Sequence, residues 1–293
     1  HLGGETLPLA KAIVNPNRQD EMGDLSHLCA AAVVFFVLIE ASRQMRENNK
    51  TPPDLLKSLD LVALATVADV APLIGVNRAF VRQGLKVMGH RNRVGLNALS
   101  DISGLNAAPN TYHLGYVLGP RINAGGRIGQ ADLGARLLCC VDPHEAIAIA
   151  EKLHELNAER RALEASVSLS AFEQAKTRGF SKALVWAADN GWHPGVVGIV
   201  ASRLKERTNR PTVVIGFEGD VGKGSGRSVS GVDLGVCIQK LAHDGDIEKG
   251  GGHKMAAGLS LNRSQLEPAM EKLESLLESQ GASCFGTADL HID

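Results

Sequence analysis

ALVWAADNGWHPGVVGIVASRLKERTNRPTVVIGF, residues Ala183–Phe217, is the stretch whose reading decides the fold. Ala183–Ala187 and Thr212–Phe217 are short apolar runs with β-branched content, and both are predicted as strands. Between them Gly195–Arg207 spaces Val196, Val197, Ile199, Val200 and Leu204 as the inward face of a helix. Strand, helix, strand predicts a parallel pair joined by a crossover. The loop Asp189–Gly195, DNGWHPG, then lies at the carboxyl end of the first strand, where α/β sheets place ligands. Trp192 and His193 are its chemical content, a ring for stacking and an imidazole. A surface turn held by packing of Trp192 accounts for it equally well.

Toward the carboxyl end, Gly222–Ser230, GKGSGRSVS, reads as a small-residue loop with Lys223, Ser225, Arg227 and Ser228 as donors. Asp233–Ala242 is predicted as a helix capped by Asp233. In Lys249–Gly258, KGGGHKMAAG, the glycines Gly250, Gly251 and Gly252 run into His253. A glycine nest exposing backbone N–H groups beside an imidazole suits an anionic oxygen such as a phosphate; a tight turn before a buried strand, Leu259–Leu261, is the plainer explanation. Ser264–Glu267 is predicted to open a last helix with a capping box, and Ala288–Ile292 is an incipient strand.

Toward the amino end, Asp142-Pro143-His144-Glu145 is a strong helix start. The charged run after it, to about Arg178, carries Leu153, Leu156, Leu163, Val167 and Leu169 on recurring faces and reads as a connector with a domain boundary inside it. Gly119–Gly129, GPRINAGGRIG, reads as a loop in which Arg121, Asn123 and Arg127 stand among glycines, and the arginine fork suits phosphate. A solvated basic loop is the alternative. Helices are expected over Leu25–Asn48, Val76–Met88 and Val94–Ser103, and a strand over Ala12–Val14. Asp60–Asp69, DLVALATVAD, reads as a buried helix whose final carboxylate, Asp69, needs a partner: a cap, a salt bridge or a metal ion.

The chain has 293 residues, 44% of them apolar, and a formal net charge of −1. That length allows two domains, and that charge excludes a globally basic nucleic-acid coat, so any such binding must use a local cationic groove. The five cysteines, Cys29, Cys139, Cys140, Cys237 and Cys284, have no CxxC spacing, which argues against a disulfide framework and for a reducing cytoplasm. The longest apolar run, Leu28–Ile39, is too short for a bilayer, which needs roughly 20 residues. A start at His1-Leu2-Gly3-Gly4 is what a fragment would show.

LDLVALATVADVAPL, GPRINAGGRIG, WHPGVVGIVASRL, GKGSGRSV and GGGHKMAAG, in this order and spacing, resemble the RecJ single-strand-specific exonucleases of the DHH phosphoesterase superfamily. The resemblance covers nearly the whole chain. It implies an α/β fold: the C-terminal part of a DHH catalytic domain with a parallel sheet (residues 1–141), a connecting helix (142–178), a DHH-associated domain (179–282) and the start of an oligonucleotide-binding barrel (283–293). It implies two divalent cations, Mn²⁺ or Mg²⁺, and removal of 5′-mononucleotides from single-stranded DNA in DNA repair and recombination.

Residue by residue, Asp69 resembles a metal-ligating aspartate and His1 the last His of the Asp-His-His motif. Arg121, Asn123 and Arg127 resemble a loop facing the site. Trp192, His193 and Arg203 resemble a groove wall, and Ser225 and Arg227 a terminal 5′-phosphate pocket. His253, with Gly251 and Gly252, resembles the motif that reaches the phosphate being cut. Asp69, His1 and His253 would thus be catalytic, and the glycine-lined loops of two lobes are expected to meet across a cleft. Single-stranded DNA is the implied partner of a monomer, with a single-strand-binding protein and a helicase as candidate protein partners.

Asp69 and His1 are too few to hold two metals, so the fragment is expected to be inactive alone; measurable Mn²⁺-dependent nucleotide release would refute that. Two other readings compete: a DHH-family phosphodiesterase acting on short RNA oligomers or cyclic dinucleotides, and a non-catalytic nucleic-acid-binding module. The WHPG loop and the long helix favour a polymer over the small substrates, and the presence of Asp69 argues against the non-catalytic module.

Overall fold

The computed structural model describes residues 7–282. The chain divides into two compact units, up to Asn157 and from Ala158 onward, and the division falls inside one helix, Pro143–Arg178.

The described part of the first unit is helical: α1 (Ala30–Glu47), α2 (Leu59–Ala68), α3 (Gly75–Gly89), α4 (Val94–Ile102), α5 (Gly119–Ile128), α6 (Leu133–Cys139) and the first part of α7 (Pro143–Arg178). A π-helical segment, His113–Leu118, leads straight into α5. Since α2 is apolar nearly all round, it must be covered on most sides. It meets α3 at Gly84, where an added Cβ would stand 2.1 Å from the Leu59 carbonyl oxygen and 2.5 Å from Ala63 Cβ. Leu96, Leu99, Leu114, Leu118, Leu137 and Leu153 are fully buried in the core of this unit. The Asp142 carboxylate accepts from the Glu145 N–H at 2.8 Å, which is the start signal expected for α7.

Two expectations for this unit fail. Ala12–Val14 is irregular, and no strand occurs among the described residues of the unit, so the parallel sheet implied for a catalytic domain is not among them. Three apolar residues with no neighbouring strand have no ladder to satisfy their backbone. The stretch expected as a loop, Gly119–Gly129, is a helix over Gly119–Ile128 with Gly129 as its C-cap. Two of its glycines serve packing: a Cβ at Gly125 would lie 3.2 Å from Leu153, and one at the C-cap Gly129 2.6 Å from Leu156, so small residues let α5 approach α7.

The second unit holds a five-stranded sheet in the order β1-β2-β3-β5-β4, built from β1 (Val185–Asn190), β2 (Thr212–Glu218), β3 (Val221–Arg227), β4 (Lys249–His253) and β5 (Ala256–Asn262). The decisive stretch has the topology read for it, with β1 running later than expected so that Asp189 and Asn190 are strand rather than loop: β1 and β2 are parallel, with Val185 opposite Thr212, and α8 (Pro194–Thr208) crosses between them. The remaining pairs are antiparallel. One face carries Val185, Ala187 and Val214 against Val167 and Ala171 of α7 and Val196, Val200 and Leu204 of α8. The other carries Val213, Ile215, Phe217, Leu259 and Leu261 against α9 (Leu234–His243) and α10 (Leu266–Glu278). Leu169, expected on a packed face of α7, is 68% exposed.

Both glycine-rich stretches of this unit are strands. In β3 the alternate residues Gly222, Gly224 and Gly226 face the filled side of the sheet, where an added Cβ would lie 2.7 Å from Phe217, 2.8 Å from Ile215 and 2.6 Å from Leu234. In β4 a Cβ at Gly250 would lie 2.6 Å from Ile238, and one at Gly252 2.3 Å from the Ala256 carbonyl oxygen. The glycines read as an anion-binding nest are therefore strand backbone: Gly250 packs under α9 and Gly252 against β5, while Gly251 is open. The capping box before α10 is formed by Asn262 and Gln265 instead of Ser264 and Glu267, because a short 3₁₀ turn, Arg263–Gln265, precedes the helix. Cys29, Cys139, Cys140 and Cys237 are free thiols, while Cys284 and the Ala288–Ile292 strand lie outside the described residues. No helix among the described residues is long and apolar enough to cross a membrane.

Candidate nucleic-acid interface

Residues paired across a sheet point to the same side, so the register of β3, β5 and β4 fixes what their open face presents. Arg227 stands beside Ala256 and Ala256 beside His253; Ser225 beside Gly258 and Gly258 beside Gly251; Lys223 beside Ser260 and Ser260 beside Lys249. Along β5 the intervening Ala257, Leu259 and Leu261 are buried in the opposite face. The result is a floor of small residues, Ala256, Gly258, Ser260 and Gly251, flanked by Arg227, Lys223, His253 and Lys249. Each row spans two strand spacings, roughly 9–10 Å, and successive rows are roughly 6.7 Å apart.

Arg227 is held in place. Its Nη1 donates to Ser225 Oγ and to the Gly226 carbonyl, both at 2.8 Å, and its Nε donates to Ser202 Oγ of α8 at 3.2 Å. A Cβ on Gly198 of α8 would meet Arg227 Nη2 and Ser225 Oγ at 3.1 Å, so glycine at that position gives the guanidinium and hydroxyl their room. A half-buried guanidinium fixed beside two hydroxyls is a pre-formed site for an oxyanion. His253 is exposed at the end of β4. Gly235 abuts its carbonyl, where an added Cβ would lie 2.9 Å away, and this ties the β4–β5 hairpin to α9. Gly251 is open, with nothing near an added Cβ.

The WHPG loop lies at the other end of β3, beside a groove of about 770 Å³ lined by His193, Pro194, Val221 and Lys223 among others. His193 Nδ1 accepts from the Gly195 N–H at 3.0 Å and caps α8. Trp192 corrects the expectation of a stacking platform. It is 8% exposed and packs with Val196, Val200 and Val214, so its indole anchors the loop. Arg203, 57% exposed along its side chain, pairs with Glu164 of α7, which is itself 2% exposed and also paired with Arg160 at 2.5 Å.

In the first unit Asp69 ends α2 as its C-cap and is exposed, contrary to a buried carboxylate in need of a partner. The buried carboxylate of α2 is Asp60, 3% exposed and bound by Arg93, whose Nε and Nη2 donate to it at 2.7 and 3.0 Å. On α5, Arg121 is half-buried, with Nη1 donating to the Val117 carbonyl at 2.7 Å and Nε to His154 Nδ1 at 3.4 Å. Asn123 and Arg127, four residues apart on that helix, are exposed. His1 lies outside the described residues. Among the described residues no group of three or more His, Cys, Asp or Glu could hold a metal ion, so on these residues alone Asp69 is a single ligand and a dinuclear centre does not fit.

The sequence singled out Ser225, Arg227, Gly251 and His253 but placed them in loops; the sheet register puts them on one face, with Ser260 and Lys249 also on it and Ser202 of α8 against Arg227, three residues the sequence reading missed. The signal for Lys249 and Ser260 was available in the alternation of AAGLSLN, once the KGGGH run is read as a strand.

The DHHA1 domain family matches residues 180–279. The single-stranded-DNA-specific exonuclease RecJ of Dickeya dadantii is 39% identical over 292 residues, covering 94% of this chain and 51% of the relative. The Mn²⁺-bound structure of RecJ from Thermus thermophilus matches with a TM-score of 0.82 at 31% identity, over 95% of this chain and 40% of that one. A second crystal structure of exonuclease RecJ bound to manganese matches with a TM-score of 0.77 at 32% identity, over 95% of this chain and 67% of that one. The chain spans about half the length of curated relatives it matches.

Proposed function

This chain belongs to the RecJ family of the DHH superfamily, and on that premise we propose that the protein is a metal-dependent exonuclease that degrades single-stranded DNA from its 5′ end to 5′-mononucleotides in DNA repair and recombination. One observation carries the substrate: the open face of β3, β5 and β4, a floor of small residues between Arg227, Lys223, His253 and Lys249. Small side chains let a sugar-phosphate backbone lie close to the sheet, and the cations beside it neutralise phosphates without reading bases. Arg227, with Ser225 and Ser202, binds the terminal 5′-phosphate and so sets the end from which the strand is consumed. His253, at the far end of the same row, donates to a phosphate oxygen; an N–H donor there stabilises charge that grows on that oxygen during cleavage. Single-stranded DNA is the partner in this reading, with a helicase and a single-strand-binding protein as candidate protein partners.

The RecJ structures hold Mn²⁺ or Mg²⁺, and in this family such ions supply an activated water and charge neutralisation. Asp69 is the candidate ligand in this chain, and further ligands are required beyond the described residues.

The test is the rate of nucleotide release, with Mn²⁺ present, from single strands carrying a 5′-phosphate or a 5′-hydroxyl. The wild-type protein is expected to prefer the phosphorylated end, and Arg227→Ala to lose that preference by roughly 10- to 100-fold, the worth of a charged hydrogen bond. Equal rates on both ends, in wild type and variant alike, would remove the assignment.

A further inference from the structure

We propose that Tyr112 and Tyr116, with the cleft they share with Val70, form a stacking site for an unpaired nucleobase beside Asp69; this rests on the reading of the protein as acting on single-stranded DNA. The chain contains two tyrosines in all. Both are here, 61% and 73% exposed, with ring centroids 5.1 Å apart and planes at 27°. They stand where the helix widens into the π-helical segment His113–Leu118, and such widened turns recur at functional sites. The adjoining cleft, about 420 Å³, is walled by Val67, Val70, Leu73 and the two tyrosines, within the roughly 300–1,000 Å³ of ligand clefts. A further ring laid on the exposed face of the pair extends the stack, and every base has such a ring, whatever its identity.

Val70 supplies the second, independent observation. It directly follows Asp69, has φ +56° and is 87% exposed. Its N–H donates to the Val67 carbonyl and the Ala71 N–H to the Thr66 carbonyl, both at 3.1 Å, so α2 ends in the motif that normally takes glycine or asparagine in the left-handed position. A β-branched residue there is strained, and strain of this kind concentrates at ligand sites. The side chain thus gained is a wall of the cleft, one residue from the candidate metal ligand. Trp192 is buried, so the tyrosines supply the aromatic face that the WHPG loop does not.

The experiment is binding of the protein, at its full natural length and with chelator present to prevent cutting, to a labelled single-stranded oligonucleotide and to an abasic strand of the same length. The Tyr112→Ala, Tyr116→Ala double variant is expected to bind the base-bearing strand about tenfold more weakly and the abasic strand unchanged, while the double Phe variant binds both as wild type does. Val70→Gly is expected to raise the melting temperature and weaken binding to the base-bearing strand alone. Unchanged affinity, or equal weakening on both strands, would overturn the proposal. A lower melting temperature of the Ala variant with unchanged affinity would assign the rings to protein packing and overturn it too. A wild-type protein that binds neither strand would instead remove the single-strand reading from which the proposal starts.

Discussion

Arg93→Leu is expected to destabilise the protein by roughly 3–5 kcal/mol in urea unfolding, because it leaves a buried carboxylate without its partner. The Asp60 side chain is 4% exposed and that of Arg93 24%. Asp60 lies in the first turn of α2, Arg93 caps the start of α4, and Arg93 Nη1 also donates to the Leu138 carbonyl in α6 at 3.3 Å. One guanidinium therefore joins three helices. Arg93→Lys keeps the charge but loses the two-pronged grip, and an intermediate loss is expected. Replacing both partners, Asp60→Leu with Arg93→Leu, is expected to cost far less than Arg93→Leu alone, since no charge is then left behind. A single Arg93→Leu variant within about 1 kcal/mol of wild type, the usual worth of a surface pair, would show that water reaches Asp60.

Gly216→Ala is expected to cost roughly 3 kcal/mol, at the upper end of overpacking effects, because the obstacle is backbone and cannot rotate away. An added Cβ would stand 1.9 Å from the Trp192 carbonyl oxygen and 2.9 Å from its carbon. Gly216 sits in β2 opposite Asp189 of β1 and Lys223 of β3, so the DNGWHPG loop lies directly on the sheet at that point. The methyl group must lift the loop, and with it the His193 cap of α8, the helix that carries Ser202 to Arg227. Loss of 5′-end preference should accompany the loss of stability. Gly251→Ala is the control: with nothing near its added Cβ, its stability should stay within about 1 kcal/mol of wild type, the ordinary cost or gain of glycine in a strand. Equal effects at the two glycines would contradict this packing.

The parallel pair and its crossover were legible because hydrophobic periodicity changed from strand to helix and back within Ala183–Phe217, and because each element buries the face its pattern predicts. The glycine-rich stretches misled for a physical reason. A glycine run does not say what occupies the space beside it: at Gly222, Gly224, Gly226, Gly250, Gly252 and Gly125 a neighbouring side chain or strand does, while Gly251 and Gly126 are open. Asp69 and Asp60 illustrate the same limit. Both bound the run DLVALATVAD, and only tertiary contact decides that Asp60 meets Arg93 inside the fold while Asp69 faces solvent. The burial of Trp192 was equally unreadable, since a tryptophan in a glycine-rich loop packs or stacks with the same local sequence. Ser225, Arg227 and His253 converge by sheet register, which the chain order conceals: β5 inserts between β3 and β4.

A crystal structure of the full-length protein with a 5′-phosphorylated single strand tests the central assignment most directly. The terminal phosphate is expected on the guanidinium of Arg227 and the hydroxyl of Ser225, with the next sugar-phosphate units running over Gly258 and Ser260. A phosphate bound elsewhere, with the face of β3, β5 and β4 empty or covered by protein, would contradict it.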